Sequence, residues 1–171
     1  DLSSYEYCPR QLFVKKVLGI YAPPNKAMVL GTVRHETFDE MTKSEEDLIL
    51  SLEHVDYKDT LQRFKVHHSK VLQNNIVKHR NKLKEFDLDL AEIFRNAWDS
   101  VFLETKDRAY MIHKFMEETG FKGEDLWKNL TPKIEAEKWV ESKDLKMKGI
   151  VDKLEVHPDR VIPFELKTGK M

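Results

Sequence analysis

Strand-like pattern is confined to the end of this 171-residue chain, and that confinement limits the possible folds more than any other feature. After Pro132 the sequence changes character. Ile134 to Glu141, Met147 to Val156 and Val161 to Lys167 are short, rich in β-branched residues and separated by turn signals, the pattern of strands. From about Glu45 to Leu130 there is no convincing strand and no internal repeat. Leu90, Phe94, Ala97, Trp98 and Val101 instead recur at helical spacing, as do Ile112, Phe115 and Met116, so this stretch reads as several helices. Upstream, Ser3 or Ser4 can cap a first helix, Ser3 with Glu6 fitting a capping box. That helix is expected to run through Leu12, Phe13 and Val17 and stop near Gly19. Ala22-Pro23-Pro24-Asn25 is a loop, and a second helix is expected from Gly31-Thr32, carrying His35, Phe38 and Met41. The chain is thus α/β: helices over 1–44, a helical insertion over 45–132, and strands over 133–171.

The length suits one domain, or one domain with an insertion, burying roughly 70% of the unfolded chain's surface. No stretch approaches the ~20 apolar residues that span a bilayer, and no secretory h-region opens the sequence. The single cysteine, Cys8, rules out an intrachain disulfide framework and points to a reducing, cytoplasmic setting. Position 1 is not Met and the last residues run into a polar motif, so the chain reads as part of a longer protein.

The C-terminal hairpin carries the sharpest chemical signal. With Pro158 and Asp159 as central turn residues, Val156 faces Val161, Leu154 faces Pro163, Asp152 faces Glu165 and Ile150 faces Lys167. Asp152, Glu165 and Lys167 then share a face with apolar Ile150, Leu154, Val156 and Val161, while Ile162, Phe164 and Leu166 cover the other. Two opposed carboxylates repel, and burying either costs several kcal/mol. A divalent cation removes that cost, with Lys167 beside it to orient or deprotonate a water. The competing reading is a Lys167–Glu165 ion pair on a solvated edge strand, and a one-residue slip in register would separate the two acids.

Gly149-Ile150-Val151-Asp152 followed by Glu165-Leu166-Lys167-Thr168-Gly169-Lys170 resembles the PD-(D/E)xK nuclease signature, G-x-x-D and then E-x-K on the next strand. Gly31-Thr32-Val33-Arg34-His35-Glu36 is similar to the RecB-type G-x-x-x-H-E motif, and Tyr7-Cys8-Pro9-Arg10-Gln11 to the C-P-R-K segment of iron–sulfur members. In this order the four elements resemble the CRISPR-associated RecB-like exonucleases of spacer acquisition, with the iron–sulfur nuclease domain of the replication helicase–nuclease as a near relative. The likeness covers about residues 1–41 and 134–171. It implies a RecB-like core, a mixed β-sheet flanked by helices. It also implies His35, Asp152, Glu165 and the Leu166 carbonyl as ligands of Mg²⁺ or Mn²⁺, and Lys167 as the catalytic lysine alongside Asp152 and Glu165. An imidazole ligand favours Mn²⁺. In the family Cys8 would hold a 4Fe–4S cluster with three more cysteines. None is present here, so a cluster requires three thiols from beyond residue 171 or from another chain. The family's Q-x-x-x-Y helix and a further strand, both expected after Lys170, are also absent from the sequence.

The net charge of −1 conceals a strong asymmetry. Glu36 to Asp56 holds eight acids and one base; Arg63 to Lys84 holds seven bases and no acid. Arg63, Lys65, Lys70, Lys78, Arg80, Lys82 and Lys84, with Arg10 upstream, form a candidate DNA track by counterion release, and Phe64 within it could stack a base. The alternative is a solvated helix face pairing with the acidic segment before it. No Gly-rich phosphate loop, Walker sequence or hydrolase triad is found. The expected function is a Mg²⁺- or Mn²⁺-dependent DNA exonuclease or end-processing nuclease of CRISPR spacer acquisition, acting on single strands or overhangs with an integrase complex as partner and no membrane. The alternatives are a non-cleaving DNA- or integrase-binding module, or a nuclease-domain fragment of a replication or repair helicase–nuclease.

Overall fold

A computed structural model describes residues 2–52 and 56–165 of the chain, without the side chains of residues 2–4. The elements run α1 (Leu2–Tyr7), α2 (Pro9–Lys16), α3 (Lys26–Lys43), α4 (Glu45–Leu50), α5 (Tyr57–Lys78), α6 (Arg80–Lys84), α7 (Leu90–Thr119), α8 (Gly123–Asn129), β1 (Lys133–Ser142), β2 (Met147–Val156) and β3 (Val161–Phe164). This is the expected mixed α/β arrangement, a small antiparallel sheet in the order β1-β2-β3 with helices against it.

Two helix boundaries differ from expectation. The first helix is two, because Cys8 takes an extended conformation and Pro9 opens α2. A residue before proline is pushed out of the helical region, while proline itself is well placed at the first helical position. The second boundary moves upstream. The Asn25 side chain accepts a hydrogen bond from the Met28 amide at 2.9 Å, so α3 begins at Lys26 rather than Gly31. Asp56 and Asp89 cap α5 and α7 in the same way, and α7 ends at Gly120 with φ of 71°, where a left-handed residue closes a helix.

The long helix α7 spans two apolar clusters. Val29, Val33 and Met41 of α3 meet Val71, Leu72 and Ile76 of α5, Leu83 of α6, and Ile93, Ala97 and Val101 of α7. Phe94 and Trp98 stack against this cluster, as their helical spacing suggested. The second cluster joins Ile49, Leu52 and Phe64 to Ala109, Ile112 and Met116 of α7 and to Leu126 and Leu130. Phe64 is fully buried there, which corrects its assignment as a base-stacking residue. Its position on α5 matches that of His68 one turn on, and both face the core rather than solvent.

β1 leaves Pro132 and packs against α3. A buried guanidinium sets its start: Arg108 of α7 binds the Glu45 carboxylate through two nitrogens and donates its third bond to the Pro132 carbonyl at 3.0 Å. Lys153 of β2 is tied to Glu104 of α7. The β2–β3 hairpin has the expected register, Val156 with Val161 and Leu154 with Pro163, around a turn closed by the His157 amide donating to the Arg160 carbonyl. The ladder reaches Lys153 with Phe164, one pair short of Asp152 and Glu165. The far end of the β1–β2 hairpin carries exposed Trp139, Leu145 and Ile150.

Candidate active site

Helix α3 presents His35, Phe38, Asp39 and Thr42 on one stripe, because residues three and four apart on a helix are neighbours. Facing them, β1 and β2 supply Ile134, Ala136, Glu137, Asp152 and Lys153. α5 adds His68, α7 adds Glu104 and Arg108, and α4 adds Glu45. Together they line a cavity of about 90 Å³. That volume suits an ion with a few waters, at roughly 30 Å³ per water. A larger cleft of about 580 Å³, between the first half of α3 and the start of α7, contains none of the expected ligands.

The sheet is interrupted at this cavity. β1 and β2 pair Ala136 with Lys153 and Lys138 with Val151, but Glu137 and Asp152, which the register would oppose, are not partners. Glu137 has φ of 48°, a left-handed conformation that costs a non-glycine residue about 1 kcal/mol or more. The break in the ladder is where both carboxylates reach the cavity wall.

Five carboxylates line the cavity against two cations. Glu45 is matched by Arg108 and Glu104 by Lys153, while Asp39 bonds Lys43 at the rim at 2.5 Å. The other Asp39 oxygen, Oδ1, is buried and finds no hydrogen-bond donor among the described residues. An orphaned oxygen in an acid-rich, ion-sized space beside an imidazole fits the chemistry of a divalent cation that takes oxygen and nitrogen ligands. Among the described residues no three His, Cys, Asp or Glu side chains yet converge closely enough to hold one.

Of the expected ligands, His35 and Asp152 therefore line one cavity, from facing layers. Glu165 lies just beyond β3, exposed and outside that lining. Leu166 and Lys167 lie outside the described residues. Cys8 sits half-buried at the break before α2 and is the chain's only thiol, so the chain supplies at most one of the four ligands a 4Fe–4S cluster needs. Two wall residues were missed from sequence. Asp39 stands one helical turn from His35, a spacing that could have found it. Glu137 lies in the alternating acids of Glu135-Ala136-Glu137, which look like a solvated strand until the ladder break is seen.

The basic residues are only partly available. Lys78 and His79 both bind Glu36, at 2.9 and 2.7 Å, so the residue after His35 fastens the joint between α5 and α6. Burial pushes the Glu36 carboxyl up, but His79 and Lys78 together hold it below its ordinary value. Arg63 bonds Asp59 and the Ser51 carbonyl, and Lys65 lies over the Phe102 ring at 5.4 Å. Arg10, Lys70, Arg80, Lys82 and Lys84 are exposed.

His68 is buried and bonded to Thr105 at 2.9 Å; burial, aided by His67, depresses its pKa to about 3. It is therefore neutral in the folded protein at pH 5 and mostly protonated in the unfolded chain, whose value is near 6.5. Its stabilising contribution is full above about pH 6.5 and is lost as pH falls toward 3. Between pH 7.5 and pH 5 the folded state should lose about 2 kcal/mol from this group. Urea unfolding at both pH values should show that loss shrinking by the same amount in His68→Gln; an unaltered pH dependence would place the titration elsewhere.

A family model for the PD-(D/E)XK nuclease superfamily matches residues 1–171, and the chain belongs to that superfamily. Its members are generally metal-dependent nucleases, which makes the chain a nuclease-class protein with a nucleic-acid substrate. No curated protein and no solved structure matches the chain. Among the described residues no helix is long and apolar enough to cross a membrane.

Proposed function

We propose that this chain hydrolyses DNA phosphodiesters at the cavity between α3 and the sheet. The observation that carries the reading is that His35 from α3 and Asp152 from β2 line the same acid-rich cavity from facing layers. His35 and Asp152 hold one side of a divalent cation, Mn²⁺ preferred over Mg²⁺ because of the imidazole, and Glu165 with the Leu166 carbonyl completes the set. When bound, the cation would supply charge neutralisation at the phosphorus and lower the pKa of a water. Lys167 would orient the attacking water and neutralise charge developing on the phosphate oxygens. The exposed cations Arg10, Lys70, Arg80, Lys82 and Lys84 hold the strand, joined by Arg63, Lys65 and Lys78, which also have partners within the fold.

The finer assignment is an end-processing exonuclease of CRISPR spacer acquisition, working in the cytoplasm beside an integrase. It rests on the ordered motifs at Cys8, His35, Asp152 and Glu165 to Lys167. A cluster on Cys8 belongs to this assignment only with three thiols from elsewhere. A second reading, a module that grips DNA without cutting it, is favoured by the lack of three converged ligand side chains among the described residues.

The deciding experiment is cleavage of labelled single-stranded and overhang DNA in Mn²⁺, Mg²⁺ and EDTA. Wild type should cut only with metal, and Lys167→Ala should be inactive with its helical circular dichroism unchanged. Undiminished cleavage by Lys167→Ala would overturn the role given to that lysine. Salt-dependent binding without cleavage in any divalent metal would leave the gripping module.

A further inference from the structure

Three cations bind the carboxylates of the cavity, and they differ sharply in exposure. The Arg108 side chain is 8% exposed and that of Lys153 19%, whereas that of Lys43 is 63% exposed. Lys43 is the last residue of α3, where a helix end carries partial negative charge and favours a cation. It stands two turns from His35 with Asp39 midway, so His35, Asp39 and Lys43 form one stripe at i, i+4 and i+8. Eight residues of helix put it about 12 Å from His35 along the axis, a span of no more than a few nucleotides.

The geometry points to Lys43 as a phosphate-binding residue that holds the DNA strand a few nucleotides from the bond placed at His35 and Asp152. This rests on the cavity being a DNA phosphodiester site. Asp39 orients the ammonium, and an exposed pair of this kind is itself worth only a few tenths of a kcal/mol, so its value to the fold alone is small. The Asp39 hydrogen bond raises the Lys43 pKa against some desolvation, and the charges of Glu137 and Glu40 add to the rise. Lys43 thus stays charged at any working pH and lies within the field of the cavity's carboxylates. A divalent cation in the cavity would offset those carboxylates and leave Lys43, one turn along α3 from Asp39, as an exposed positive charge. A phosphate oxygen would then take a hydrogen bond from it.

The test is binding of a fluorescein-labelled single-stranded oligonucleotide in Ca²⁺, measured by anisotropy over a range of KCl, alongside cleavage in Mn²⁺. Neutralising one phosphate contact should lower the slope of log affinity against log salt by about 0.7. Lys43→Gln is expected to show that reduced slope and a several-fold weaker Kd. In cleavage its loss should appear mainly as a higher KM, and Lys43→Arg should restore both. A Lys43→Gln slope and Kd equal to wild type, in a chain that cleaves, would overturn this contact and leave the hydrolytic reading standing. The reduced slope in a chain that never cleaves would do the reverse.

Discussion

Asp152→Ala is expected to lower DNA cleavage by at least about 1000-fold while the protein stays folded. A bound cation contributes several kcal/mol to stabilising charge in a phosphodiester transition state, and each 1.36 kcal/mol is tenfold in rate. On the proposed assignment Asp152 is an anionic ligand opposite His35, and its removal forfeits most of that. Asp152 sits at the gap in the β1–β2 ladder, and urea unfolding of Asp152→Ala beside its cleavage assay separates a lost ligand from a lost fold. A second readout needs no activity. Mn²⁺ that binds the folded chain alone should stabilise wild type by about 2.7 kcal/mol at one hundred times its Kd. Thermal unfolding with and without Mn²⁺ should show that rise in wild type and none in Asp152→Ala or His35→Ala. Cleavage or Mn²⁺ stabilisation persisting in Asp152→Ala would remove this residue from the metal site.

The sheet was legible because its signals are local. Pro158-Asp159 sets a turn, the turn sets a register, and the register found in the structure pairs Val156 with Val161 and Leu154 with Pro163. Helix content was legible for the same reason, since Phe94, Trp98 and Val101 repeat at a helical period whatever they pack against. Exact helix starts were harder. Cys8-Pro9 splits a segment whose apolar residues look continuous, because proline acts on its neighbour's backbone and leaves periodicity untouched. Phe64 was misread because the charge around it is visible in one dimension while the face it occupies is not. Seven basic residues surround it in sequence, yet it points between α5 and α7, in the cluster with Ala109 and Ile112.

The site divides along the same line. His35 and Asp152, which line the cavity, were expected there through motifs, each a short run of residues. Asp39 shares the helix with His35 but belongs to no run that was recognised. Glu137 depends on a backbone conformation, φ of 48°, that no propensity of glutamate announces. The acidic and basic segments illustrate how far a charge count can go. They do meet, since Glu36 binds Lys78 and His79 and Glu40 accepts from Asn75 at 3.0 Å. Yet Lys70, Arg80, Lys82 and Lys84 remain exposed. The helix-pairing reading thus applies to part of the stripe, and the rest is exposed and available to the proposed DNA track. Lys78 binds Glu36 within the fold, while Lys70 of α5 and Arg80, Lys82 and Lys84 of α6 stay exposed.

Arg108→Ala is expected to cost about 3–5 kcal/mol, a large part of the 5–15 kcal/mol that holds a typical domain together. Arg108 and Glu45 are both buried and joined through two nitrogens, and the third guanidinium bond reaches the Pro132 carbonyl. Truncation strands the Glu45 carboxylate and that carbonyl without donors in a low-dielectric place, which is more costly than the pair itself is stabilising. It also unties α7 from the residue that leads into β1, and hence from the sheet that carries Asp152 and Glu137 toward His35. Replacing both partners by apolar residues of similar volume, Arg108→Met with Glu45→Leu, should recover most of the lost stability, since no buried charge remains unmatched. Recovered stability need not bring back cleavage, because the bond to the Pro132 carbonyl is still missing and the start of β1 has lost its tie to α7, although Lys153 of β2 still binds Glu104. Urea unfolding of the single and double variants checks the energetic claim. A single variant within 1 kcal/mol of wild type would mean that water reaches Glu45 easily and that the joint does not fix the sheet against α3.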